Sequence, residues 1–251
     1  MVIAAKPDGP VEVPSVVAEL SSGDTPVPVW RNTLGGLTFR LGEGGAARFI
    51  KWMPRGEPSF EHEVARLRWA APFIEVPRVL ASGSGDDGSW MLMAGIPGHS
   101  AVDARFTSDG RAARVAARAI GAGLRRMHDA RPVDSCPYSW SISQRIARAQ
   151  AEGLAVDGAL EAPPSIDRLV VCHGDACAPN TLLDDDGSFV GHVDLGSLGV
   201  ADRWADLAVA TWSLEWNYAG GALLESELLD AYGVARDAPR MRYYRALWAA
   251  T

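Results

Sequence analysis

Cysteine is scarce in this chain of 251 residues, long apolar runs are missing, and basic residues are outnumbered. The three cysteines, Cys136, Cys172 and Cys177, cannot all pair within one chain and lack metal-ligand spacing, which argues against a disulfide scaffold or a zinc module. Cys172 and Cys177 suit small buried packing positions. No run of about eighteen apolar residues occurs, so no membrane span is expected. Near the amino end, Lys6, Pro7, Asp8 and Pro10 interrupt the chain before a signal-peptide core forms, and a cytoplasmic protein is the expectation. Against 24 Lys and Arg stand 31 Asp and Glu, a net charge of -7 with a pI near 5.2. That balance argues against a nucleic-acid partner gripped through its phosphates. It suits a ligand that is a cation or is carried with one. There is no G-x-x-x-x-G-K-[ST], and so no P-loop. With 47% apolar and 22% charged residues the chain is not expected to be disordered, and its length allows one large or two small domains.

What is present concentrates in residues 173–194. His173-Gly-Asp-Ala-Cys-Ala-Pro-Asn180 keeps the spacing of the kinase loop H-R-D-x-x-x-x-N, in which the Asp takes the substrate hydroxyl proton and the Asn holds magnesium. Asp194, in Asp-Leu-Gly, stands where a kinase carries the Asp of Asp-Phe-Gly. A transferring phosphoryl group spreads its charge over three oxygens, so one carboxylate must face the incoming hydroxyl while other oxygens hold the metal. Residues 169–172 read as a buried strand leading into the loop. Residues 181–183 and 189–193 read as a hairpin turning at Asp185, Asp186 and Gly187, which would carry Asp194 back beside Asn180. The acids at 184–186 lack the later Glu and the alternating ligands of a calcium loop and read as a solvated turn.

Before this segment the chain is rich in strands. Residues 28–31, 36–41, 46–52, 78–82 and 89–93 are strand-like, and Phe60, Val64, Leu67 and Ala71 mark one helix within 57–71. After Gly95, Pro97 and Gly98 the helical periods dominate, at 111–129, 141–151, 204–218, 223–232 and 238–250. The expectation is an α+β protein with a two-lobed, protein-kinase-like fold. An N-terminal antiparallel sheet with one helix would span 1–95, with a hinge near 93–98, and a mainly helical lobe would span 99–251. ATP would lie in the cleft between them. Lys51, at the end of an apolar strand, would contact the α- and β-phosphates, and Glu63 on the next helix would fix its head. Gly35 and Gly36 lie where a loop should cover the triphosphate, although the segment is not a G-x-G-x-x-G. Met93, Ala94 and Ile96 would present backbone groups to the adenine. ATP and GTP both satisfy this pattern.

Together these residues resemble the aminoglycoside phosphotransferases, in particular those acting on the 3′ hydroxyl of kanamycin-type compounds and the 3″ hydroxyl of streptomycin. The likeness runs from about Thr33 to Tyr244 and is densest at 170–180 and 193–208. Glu63-Val-Ala-Arg-Leu-Arg-Trp, Arg126-Met-His, Cys136-Pro-Tyr and Arg242-Tyr-Tyr-Arg are further marks. Gly174 in place of the Arg of His-Arg-Asp, and Leu195 in place of the Phe of Asp-Phe-Gly, separate the chain from protein kinases. The resemblance implies Asp175 as catalytic carboxylate, Asn180 and Asp194 as magnesium ligands, and Lys51 with Glu63 at the phosphates. It gives His173 and Asp206 structural parts.

The acceptor side departs from that family. Ser197 stands where 3′ enzymes carry an Arg, the stretch 150–167 is short, and the tail from Ala246 to Thr251 has no side-chain carboxylate. A polycationic acceptor needs several acids, since desolvated amines without partners are costly. Asp175, Glu215, Asp230, Glu161 and the terminal carboxylate of Thr251 are candidates, and Glu215-Trp216-Asn217 offers charge beside an aromatic face. The expected activity is transfer of the ATP γ-phosphate, with Mg2+, to a hydroxyl of a small cationic molecule, an aminoglycoside first. Kinases of an amino sugar or choline-like alcohol, or a nucleotide-binding protein without turnover, are the alternatives. No oligomeric state is implied.

Overall fold

In residues 37–41 Leu37, Phe39 and Leu41 are buried while Thr38 and Arg40 are less so, the period of two that makes a half-buried strand. The structure, a computed structural model, describes residues 6–154 and 158–251, apart from the side chains of Ala159 and Glu161. It divides into two compact units, Met1–Pro72 with Val76–Pro97 and Phe73–Glu75 with Gly98–Thr251.

The first unit runs α1 (Ser15–Leu20), β1 (Val27–Arg31), β2 (Leu37–Leu41), β3 (Arg48–Met53), α2 (Glu61–Ala70), β4 (Arg78–Gly85) and β5 (Gly88–Ala94). Its strands form one antiparallel sheet in the order β1-β2-β3-β5-β4. Val17 of α1 joins Leu37, Phe39, Leu41, Ile50 and Leu92 in its core. This corrects the expectation of one helix: α1 has six residues with Val17 alone fully buried, too short to show a period. Gly83, Gly85 and Gly88 have G-x-G-x-x-G spacing but form the β4–β5 hairpin and lead into a strand, unlike a dinucleotide-binding turn.

The second unit contains β6 (His99–Ser100), α3 (Ala104–Thr107), α4 (Gly110–Ala130), α5 (Ile142–Ala151), β7 (Leu169–Cys172), β8 (Thr181–Leu183), β9 (Phe189–His192), β10 (Gly199–Asp202), α6 (Trp204–Asn217), α7 (Glu225–Tyr232) and α8 (Ala238–Ala250). β6, β8 and β9 form one small sheet, and β10 pairs antiparallel with β7. Asp109 caps α4 by accepting from the Arg111 and Ala112 amides. Every residue of α6 from 204 to 211 is buried, so this helix is the unit's axis and not an amphipathic cover. Among the described residues no helix is long and apolar enough to cross a membrane.

Small residues on the buried face of α4 let α7 approach closely. A Cβ added to Gly121 would lie 2.1 Å from the Leu228 carbonyl oxygen. Glycine-to-alanine in a helix interior normally stabilises by about 1 kcal/mol. Here the sign should reverse, because overpacking against backbone costs about 1–3 kcal/mol or more. Gly121→Ala should therefore lower the urea midpoint, and a raised midpoint would contradict this packing.

Candidate active site

The residues from β7 to β8 are held on one stripe of α6. Asp206, Ser213 and Asn217 are spaced by seven and four, which places them on one helical face. Asp206 accepts from the His173 amide at 2.6 Å and the Gly174 amide at 2.9 Å. Ser213 Oγ accepts from the Ala178 amide at 2.9 Å and from Asn217 Nδ2 at 3.1 Å. Gly174 has a φ of 89°, and a Cβ there would meet the Ser197 carbonyl oxygen at 2.2 Å. Neither the backbone conformation nor the space suits any larger residue.

His173 ties the loop to the strand that returns. Its Nε2 donates to the Val193 carbonyl at 2.9 Å, and Nδ1 accepts from the Asp175 amide at 3.3 Å. The Val193 amide in turn donates to the Asn180 carbonyl at 3.0 Å. The β8–β9 hairpin thus brings Asn180 beside Val193, the residue preceding Asp194. Asp194 is exposed and has a φ of 63°, a left-handed conformation that Asp tolerates better than most side chains.

Both oxygens of Asp175 are held. Asn180 Nδ2 donates to Oδ2 at 3.1 Å and to the Asp175 carbonyl at 3.0 Å, and the Cys177 thiol donates to Oδ1 at 3.1 Å. Burial, reinforced by the Asp175 charge, pushes the Cys177 thiol up, so it remains a donor. Of the two cysteines expected to be buried packing residues, Cys172 is fully buried, whereas Cys177 is only partly buried and spends its thiol on Asp175.

Behind the loop lies a buried chain of polar groups. His128 Nε2 donates to Asp206 Oδ2 at 2.9 Å, while Nδ1 lies 2.9 Å from the Tyr232 hydroxyl. Burial raises the Tyr232 pKa to about 12, so its hydroxyl can serve as the donor to Nδ1. Burial alone would raise the Asp206 carboxyl, but the hydrogen bonds from His128 and the Gly174 amide are among the contacts that hold it below the ordinary range. The guanidinium of Arg131, also buried, has no hydrogen-bond partner among the described residues, and burial lowers its pKa to about 10 against the pull of Asp206. His128, Cys172 and Asp206 bring potential ligand atoms within 4.8 Å of one another. They do not suit a cation, because donors already occupy both Asp206 oxygens and burial raises the Cys172 thiol.

In the first unit Lys51 Nζ and Glu63 Oε1 form an ion pair at 2.6 Å, both side chains largely buried. The β1–β2 turn is occupied by its own contacts. Asn32 Oδ1 accepts from the Leu34 amide at 3.0 Å and the Gly36 amide at 2.7 Å. Gly35 takes a φ of 83°, and a Cβ on Gly36 would meet Asn32 Nδ2 at 2.7 Å. Met93 and Ala94 lie within the β5 ladder, paired on both sides, whereas Ile96 lies beyond it. The Gly95 amide between them donates to the Ala47 carbonyl.

The acceptor candidates separate in space. Glu215 is exposed but pairs at 3.2 Å with Arg245, which also holds Glu225 at 3.2 Å. Asn217 donates to the Ser213 carbonyl at 2.7 Å as well as to its hydroxyl. Trp216 is half-exposed and packs at a tilt against Trp212 and Trp248, at centroid distances of 4.7 and 5.6 Å. Asp230 is exposed on α7. The side chain of Glu161 lies outside the described residues. The sequence reading missed the links from Cys177 to Asp175 and from Tyr232 to His128. The stripe of Asp206, Ser213 and Asn217 was its available signal for the loop's support.

Comparisons with known proteins show the family. A family model for the phosphotransferase enzyme family matches residues 34–244. An aminoglycoside 3′-phosphotransferase of Streptomyces fradiae is 35% identical over 74% of this chain and 77% of its own length. A streptomycin 3″-kinase of Streptomyces griseus is 31% identical over 84% of this chain and 86% of its own. The solved aminoglycoside phosphotransferase APH(3″)-Id of Streptomyces rimosus, in complex with ADP and streptomycin, superposes with a TM-score of 0.73. Its identity is 28%, over 92% of this chain and 94% of that one. Fold and loop together define a kinase-like enzyme. More narrowly, the chain belongs to the phosphotransferase enzyme family, the aminoglycoside phosphotransferases among its relatives.

Asp206→Asn would strand buried donors and should cost about 3 kcal/mol or more near neutral pH. Because the folded-state carboxyl is depressed, its contribution is present above the ordinary carboxylate range and is lost as pH falls below it. Urea unfolding should show the gap between variant and wild type narrowing below about pH 4. An equal gap at neutral and acid pH would mean the charge is not what holds the loop.

Proposed function

We propose that the protein transfers the γ-phosphate of ATP, with magnesium, to a hydroxyl of an aminoglycoside at the 3′ or 3″ position. The observation that carries this reading is the fixed Asp175 carboxylate, with Asn180 bonded to it and Val193 linking Asn180 to Asp194. In the reaction the acceptor oxygen bonds to the γ-phosphorus, the bridging oxygen leaves with ADP, and the hydroxyl proton passes to Asp175.

Asn180 and Asp194 suit magnesium as hard oxygen ligands. Asn180 spends its nitrogen on Asp175, leaving its amide oxygen for a metal. When bound with nucleotide, the ion neutralises charge on the β- and γ-phosphates. Lys51, held by Glu63, contacts the α- and β-phosphates, and Met93, Ala94 and Ile96 flank the adenine. The turn at Gly35 and Gly36 lies over the phosphates. Availability of ATP makes the cytoplasm the place of action. On the acceptor side Trp216 offers an aromatic face, while Glu215 and Asn217 meet the acceptor through groups already held by Arg245 and Ser213.

The Glu215–Arg245 pair also favours a second reading, an acceptor with fewer cationic groups such as an amino sugar or a choline-like alcohol. Purified protein with ATP and magnesium should convert a member of a panel containing streptomycin, kanamycin and these alcohols, with the product identified by mass spectrometry and NMR. Asp175→Asn should lower kcat about a hundredfold or more while leaving magnesium-ATP affinity within about threefold. Tight nucleotide binding without turnover on any acceptor would favour a binding protein instead.

A further inference from the structure

We propose that Cys177 is a positioning residue for Asp175, its thiol locking the carboxylate in the orientation that receives the acceptor's proton. The proposal rests on the assignment of Asp175 as the proton acceptor. The carboxylate has one donor on each oxygen, Cys177 on Oδ1 and Asn180 on Oδ2, both at 3.1 Å. Two donors on opposite oxygens fix the plane of the group, whereas one would leave it free to swing. Each oxygen keeps a lone pair for an incoming hydroxyl.

The backbone beside Cys177 is anchored to α6, where Ser213 Oγ accepts from the Ala178 amide and from Asn217 Nδ2. Cys177 is partly buried, and its thiol is kept protonated by burial and by the neighbouring carboxylate. Sulfur is a weak donor, so it restrains Asp175 without competing strongly for the lone pair that the reaction needs.

The test is steady-state kinetics on five variants of the full chain, with thermal unfolding alongside. Cys177→Ala and the similarly sized Cys177→Val, which lack the donor, should lower kcat about tenfold while KM for ATP and acceptor stays within about twofold. Cys177→Ser, which restores a donor, should return kcat to within about threefold of wild type. Cys177→Ala placed on Asp175→Asn should add little further loss, since both act through one group. The proposal is overturned if Ala and Val variants that melt like wild type keep its kcat, or if Ser fares no better than Val. It is also overturned if the losses appear in KM alone. A wild type active on an acceptor, with Asp175→Asn equally active, would instead discard the role given to Asp175. A wild type without turnover would discard the functional reading, and this proposal with it.

Discussion

One buried carboxylate sets the position of nearly everything chemical in the second unit. Asp206 sits in the most enclosed helix of the fold, where an unpaired charge would be untenable. It is tolerated because two consecutive backbone amides and an imidazole converge on it. The same requirement fixes those donors: wherever α6 lies, residues 173 and 174 must follow. Farther along the helix, Ser213 repeats the arrangement on the Ala178 amide. The loop is therefore registered to a rigid rod at two points, and the side chains between them have little choice of direction.

Much of this could be read beforehand, and the reasons are physical. The loop spacing is legible because Asp175 and Asn180 meet across a short turn. The strands at 37–41 and 169–172 announce themselves through their apolar content, and the long helix α4 through its period. What escaped was brief or non-local. α1, β6 and β10 have six, two and four residues, too few for a pattern, and β10 becomes a strand only because β7 lies beside it.

The acceptor side shows a different limit. Glu215, Trp216 and Asn217 are adjacent in sequence and read as a cluster, but successive residues on a helix do not face one another. Arg245 on α8 takes Glu215, the tryptophans gather around Trp216, and Ser213 takes Asn217. The 3.6-residue turn gives each of the three its own neighbour, which sequence adjacency does not show. The β1–β2 turn is likewise shaped by Asn32, a contact that the pair of glycines does not announce.

The missing side chain at Gly174 bears on control. In kinases an arginine is the means by which a segment responds to phosphorylation, because its fork pairs with the added phosphate. At this position the backbone is left-handed and the Ser197 carbonyl fills the space a side chain would need. The loop has no lever there for a phosphate to pull, and its anchors on α6 keep it in one setting. A loop built this way takes its setting from the fold that holds it, through the backbone amides of residues 173, 174 and 178.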